Sequence, residues 1–170
     1  PPNLRQRVGA AVGEAPGRIL NGEIRHRQTM EAAHDVWNAG HLCLVHVHGN
    51  NDNQAMERVI NLFPQDLHKQ LFLDLSLNVR SVISQRLVQA IDGKRVAAIE
   101  ILINTPHIAD LIMKGNIGDI KEAMEQSGAK GMQTFDMAFF QLFKEERIDL
   151  EEALSNADSR TNLEARINFG

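Results

Sequence analysis

At 170 residues, with 43% hydrophobic and 24% charged residues, the chain has the composition of one domain with a sizeable core, which excludes a disordered polymer. A formal net charge of −4 and a pI near 6.0 give no basic footprint for nucleic acid. Cys43 alone allows no internal disulfide, and no apolar run approaches the roughly 20 residues of a spanning helix; a reducing cytoplasm without direct membrane insertion is the expected setting.

In chain order, residues 18–24 (RILNGEI) read as a short strand ending at Gly22-Glu23, and Thr29 as the N-cap of a helix running to Asn38. Gly40 suits the left-handed position past that helix. Residues 42–48 (LCLVHVH), apolar and β-branched between Gly40 and the polar run Gly49 to Asp52, read as a buried strand. Met56, Val59, Ile60 and Phe63 fall at helical spacing before Pro64, and a second helix is predicted from Asp66 to about Ser81. Residues 85–91 and 95–103 flank Asp92-Gly93-Lys94, a hairpin signal. Thr105 then Pro106 gives an N-cap followed by proline at the first helical position. Further helices are predicted over 117–126, 134–145 and 150–156, the last introduced by the capping-box spacing of Asp149 and Glu152. The change from α/β to all-α near residue 104 is the only compositional seam, dividing 1–104 from 105–170.

Three histidines and the cysteine lie within residues 41–48 and raise the question of a metal. Side chains on a strand alternate faces, so His46 and His48 share one face while His41 and Cys43 take the other. No face gathers the three or four ligands zinc requires, and His26, His34, His68 and His107 show no ligand spacing. Zinc binding is thus the weakest reading, no metal ligand is assigned, and histidines hydrogen-bonded at a strand end are favoured.

A different chemistry comes from Glu23. Mononucleotide-binding sheets place ligands at the carboxyl ends of parallel strands, where a glutamate can orient the water that attacks a γ-phosphate. Neighbouring parallel strands would bring Glu23 and His48 to one edge, a few ångströms apart. The phosphate-cradling pattern G-x-x-x-x-G-K-[ST] occurs nowhere in the 170 residues.

Six segments in order, GEIRHRQTMEAA, GHLCLVHVHGNN, AMERVINLFP, LNVRSVISQRLV, DGKRVAAIEILINTP and KGMQTFDMAFF, closely resemble the type IV pilus retraction ATPases, nearest to the PilU type. The resemblance implies an α/β fold, a partial RecA-like P-loop NTPase domain followed by an all-α helical region, with the P-loop itself upstream of Pro1. It implies a hexameric motor that couples hydrolysis of ATP with Mg²⁺ to pilus depolymerisation. Its partners would be further copies or a related retraction ATPase and an inner-membrane pilus platform protein, at the cytoplasmic face of the membrane.

Carried over by position, Glu23 matches the family's Walker B glutamate, and His41 and His48 match its two box histidines, giving Glu23 and His48 as catalytic and His41 and His48 as nucleotide-binding. Thr105 to Lys114 (TPHIADLIMK) matches the helix linked to retraction. Gly17, Arg18, Asn21, His26, His46 and Gly49 depart from the family's usual residues. A second reading is therefore kept beside the first, a non-catalytic assembly module derived from such an ATPase.

Overall fold

The computed structural model describes residues 9, 10, 12–14 and 17–169. β1 (Arg18–Glu23) and β2 (Leu42–His46) pair in parallel, connected by helix α1 (Arg27–Asn38). α1 starts earlier than predicted. Extended His26 precedes it and its carbonyl accepts the N–H groups of Thr29 and Met30, so Thr29 lies in the first turn and caps nothing with its side chain. Gly40 takes φ +87° and turns the chain into β2.

β2 is not the buried strand that its composition predicts. It ends at His46, and Leu42, Leu44 and Val45 are exposed, as is Leu20 on β1. Among the described residues only one face of the two-stranded sheet is covered, with Cys43 and Val47 packed against the core. Arg18 is exposed, so no charge is buried there, while Asn21 is buried and its amide reaches the Thr29 carbonyl at 3.5 Å.

Helix α2 (Asp52–Asn61) is capped by Asn51, whose Oδ1 accepts the Gln54 N–H at 2.9 Å. A 3₁₀ turn follows Pro64, and α3 (His68–Asn78) stops short of the predicted end. The cause is distant in sequence: the Asn104 amide donates to the carbonyls of Ser76 (2.9 Å) and Val79 (2.8 Å), which releases the chain into a strand. β3 (Ser81–Gln89) and β4 (Arg95–Ile103) then pair antiparallel in unbroken register from Ser81↔Ile103 to Gln89↔Arg95. Gly93 at φ +80° makes the turn that the Asp-Gly pair predicts.

α4 (Pro106–Lys114) has its predicted cap, Thr105 accepting from Ile108, and ends at Gly115 with φ +75°. A 3₁₀ turn leads to α5 (Ile120–Glu125), Thr134 caps α6 (Phe135–Lys144), and Asp149 caps α7 (Leu150–Asn156). The capping box at α7 is not closed, because the Glu152 carboxylate accepts instead from the Gln89 N–H at 2.7 Å and ties α7 to β3. α8 (Arg160–Phe169) was not predicted; Ser159 caps it, its Oγ accepting the Asn162 N–H at 3.3 Å.

One face of β4 organises the packing. Val96, Ala98, Glu100 and Leu102 are all buried on it. Leu102 belongs to a cluster with Ile24, Met30, Met56, Ile60, Leu75, Ile112 and Met124, whereas Val96 and Ala98 pack with Phe135, Phe139, Leu154 and Leu163. The packing seam therefore runs through β4 at Glu100; α4 and α5, beyond residue 104, share the first cluster with the strands.

Glu100 is fully buried at that seam. Its Oε1 accepts the Asp52 N–H at 3.1 Å, its Oε2 accepts the Phe135 N–H at 3.1 Å, and Lys121 Nζ donates to the same carboxylate. The Asp52 carboxyl beside it is pushed up to about 7, first by burial and then by the negative charge of Glu100.

A carboxyl whose folded pKa lies above its ordinary value holds its proton more tightly folded than unfolded, so stability falls as pH rises from 3.8 towards about 7. The lowered Asp158 and raised Lys121 groups act below and above that window respectively, and the Asp136 carboxyl, raised by burial, acts in the same direction as Asp52 from the lower end of the window. Urea unfolding between pH 5 and 8 is expected to show a falling stability of up to ~1.4 kcal/mol per pH unit, and Asp52→Asn is expected to flatten it. An unchanged slope in the variant would assign the titration elsewhere.

Candidate functional site

The carboxyl ends of β1 and β2 meet at one edge of the parallel sheet. The register steps from Asn21↔Val45 to Glu23↔His46, so Gly22 is the extra residue of a bulge. A bulge re-aims the side chain that follows it. Here it brings the Glu23 carboxylate to the end of the neighbouring strand, and the Ile24 N–H continues the pairing to the His46 carbonyl at 2.8 Å.

His48 lies two residues past β2, and its Nε2 donates to Glu23 Oε1 at 2.7 Å. The rings of His46 and His48 meet edge to face, their centres 5.3 Å apart. Arg25 binds the other Glu23 oxygen, Oε2, at 2.5 Å. The Glu23 carboxyl is accordingly held below its ordinary value, chiefly by the Arg25 hydrogen bond and further by the nearby charges of Arg25, His48 and His46, against the opposing effect of burial. At neutral pH it is an anion that accepts hydrogen bonds.

Beyond His48 an open cleft of about 450 Å³ is lined by Gly49, Asn50, Gln54, Glu57, Arg58 and Asn61. Four of these recur at helical spacing along one face of α2, so the helix lays a polar stripe beside the strand end. Gly49 is tightly placed: a Cβ there would stand 3.1 Å from the Ala55 backbone nitrogen. The loop after His48 is thereby packed onto the first turn of α2.

The structure brings Glu23 and His48 together and leaves His41 apart. His41 precedes β2 and His48 follows it, so the strand separates them by roughly 20 Å at 3.3 Å per residue. Among the described residues no three His, Cys, Asp or Glu side chains converge as a metal-binding group. Cys43 is half-buried, and burial pushes its thiol up, as for a small core side chain. The sequence reading missed Arg25 and Arg58. The first sits two residues from Glu23, and the second is recognisable only once α2 is known to flank the strand end.

Comparison with known proteins places the chain in a family. The family model described as "Type II/IV secretion system protein" matches residues 3–95. The type IV pilus ATPase PilU of Pseudomonas aeruginosa is 48% identical over 158 residues, 92% of this chain and 41% of that protein. The type IV pilus retraction ATPase PilT of the same organism is 36% identical over 154 residues, 91% of this chain and 45% of that one. A crystal structure of the pilus retraction motor PilT with bound ADP superposes with a TM-score of 0.84 at 30% identity, covering 95% of this chain and 46% of the other.

The chain belongs to the type II/IV secretion system protein family. Within it, the similarity is to the pilus ATPases of the PilT/PilU type, and the α/β fold read from the sequence is the fold observed. The chain spans about two fifths of the length of the curated relatives it matches. Among the described residues no helix is long and apolar enough to cross a membrane.

Removing the Arg25 guanidinium removes the main cause of the Glu23 shift. In Arg25→Ala the Glu23 carboxyl is expected to titrate at higher pH than in the unaltered chain, followed by the side-chain carboxyl ¹³C resonance, while a coincident titration would show that Arg25 does not control it.

Proposed function

We propose that this chain is the part of a pilus retraction motor that presents the hydrolytic edge of a nucleotide site, in a ring of like or related subunits that couples ATP hydrolysis to pilus depolymerisation. The observation that carries the reading is the 2.7 Å contact between Glu23 and His48 at the carboxyl ends of two parallel strands, where α/β sheets bind ligands.

The residues fit one side of such a site. Glu23, anionic at neutral pH, accepts a proton-bearing water and aligns its oxygen. Its low pKa makes it an orienting group more than a strong base. The Nε2–H of His48 can pass from Glu23 to a terminal phosphate oxygen, which would free the carboxylate for the water. Arg58 and the amides of Asn50 and Asn61 line the cleft beside it. The phosphate cradle is not among the 170 residues, so this chain supplies the groups facing the terminal phosphate, not those enclosing it. When bound, ATP with Mg²⁺ supplies the scissile phosphoanhydride and neutralises its charge.

His41, at the far end of β2, would support the strand or a contact with a neighbouring subunit. α4, carrying TPHIADLIMK, would serve retraction, the ring docking on the platform protein at the cytoplasmic face of the inner membrane.

A second reading, a non-catalytic assembly module, is favoured by one observation: Arg25 and His48 together bond both oxygens of Glu23, an ion-paired arrangement made entirely by neighbouring side chains of this chain. The two readings separate on the turnover of a grafted subunit. With this segment grafted in place of the matching part of the Pseudomonas aeruginosa PilU, Glu23→Gln is expected to lower ATP hydrolysis by about a hundredfold or more. Undiminished turnover in the variant would remove Glu23 from the chemistry, and a graft that assembles without hydrolysing ATP at all would leave the assembly module.

A further inference from the structure

The loop that follows His48 is held from the opposite side by side chains of the β3–β4 hairpin that also bond the C-terminal helices. Arg86, on β3, donates from Nε to the Asn50 carbonyl at 3.0 Å, from Nη1 to the Asn156 carbonyl at 2.8 Å, and from Nη2 to Asp158 Oδ1 at 2.6 Å. Its guanidinium lies 4.0 Å from the centre of the Phe135 ring at the start of α6. One planar group therefore bonds the cleft loop, the end of α7 and the turn before α8. A rigid fork of donors fixes such a geometry more tightly than a flexible ammonium does.

A second tie runs parallel to the first. Glu100 accepts the Asp52 N–H, two residues beyond Asn50, with one oxygen and the Phe135 N–H with the other. Lys121 bridges Glu100 to Asp158, and Asp158 is itself seated by Asp136, whose two oxygens accept the N–H groups of Asp158 (2.8 Å) and Ser159 (3.0 Å). Arg86 is only 21% exposed in its side chain and Glu100 not at all, so water competes little for these bonds. Asn50 in turn donates its N–H to Gln54 Oε1 and lines the cleft beside His48.

We propose that Arg86 and Glu100 are positioning residues which tie the placement of His48 to the start of α6 and the turn from α7 to α8, so that a displacement of that turn reaches the Glu23–His48 edge through Asn50 and Asp52. The functional meaning rests on the hydrolytic reading of that edge; the mechanical coupling does not. Neither residue touches the cleft. Each acts through a backbone group of the loop.

The test uses the chain itself without nucleotide. Amide hydrogen exchange over residues 49–56 and the ring resonances of His48 are followed in Asp158→Ala, in Arg86→Gln, in the double variant and in Leu163→Ala, which loosens the same helices from their core without touching either tie. Asp158→Ala is expected to speed exchange at the Asp52 and Ala55 amides about tenfold and to shift His48, as far as Arg86→Gln does, with the double variant no worse than either, because the groups act as one unit. Leu163→Ala is expected to leave His48 in place. The proposal is overturned if Asp158→Ala changes only residues near 156–163, or if Leu163→Ala moves His48 equally. Arg86→Lys keeps the charge but loses the fork, and a wild-type His48 signal in it would also count against the proposal. Because the hydrolytic reading is tested by turnover of the grafted subunit, coupling without turnover would sink that reading alone, and turnover without coupling would sink this one.

Discussion

A single buried carboxylate holds this molecule together across its two apolar clusters. Glu100 stands on the inward face of β4 between Ala98, which packs with the phenylalanines of α6, and Leu102, which packs with α1, α2 and α4. Burying a charge is costly unless every lone pair finds a donor. Here the donors are the first N–H groups of two helices and a lysine, so the charge also lies where helix N-termini favour it. Each bond to a charged group is worth on the order of 1.5–3 kcal/mol, and the two backbone bonds form only when the first residues of α2 and α6 both reach this carboxylate. The demand for satisfied hydrogen bonds thereby sets the relative position of the two clusters, which apolar contacts alone would leave free to slide.

The same constraint reaches the sheet edge. Asp52 opens α2, α2 lays its polar stripe beside His48, and the bulge at Gly22 brings Glu23 to meet it. Among the described residues the parallel sheet has only two strands and leaves Leu20, Leu42 and Leu44 exposed, so the edge is supported by α2 and the hairpin behind it. A site built this way is hydrogen-bonded on the side of the hairpin and open at the cleft.

Much of this was readable from the chain where the signal is local. Thr105-Pro106 with Gly115, Thr134, and Asp149 fixed the ends of α4, α6 and α7 because caps act within one turn. Gly22-Glu23 at a strand end, beside a neighbouring strand rich in histidine, foretold the pairing of Glu23 with His48. The end of α3 was not readable, since it depends on Asn104 arriving from the far side of the hairpin. Nor was the exposure of β2: LCLVHVH has the composition of a covered strand, and no sequence pattern states which neighbour covers it. Glu100 is an intermediate case. In RVAAIEILI it is the one acid on an alternating apolar face, a conflict that marks a paired buried charge only when the partners, Lys121 and two helix ends, are known.

The claim that Glu100 joins the two clusters into one cooperative unit can be tested directly. With fluorine-labelled phenylalanine, Phe63 and Phe72 report on the first cluster and Phe135 and Phe139 on the second during urea unfolding. The unaltered chain is expected to lose both sets of signals in one transition, and Glu100→Ala, which leaves two helix N–H groups and Lys121 short of a partner, to separate them into two. Separate transitions in the unaltered chain, or a single shared one in the variant, would contradict the account.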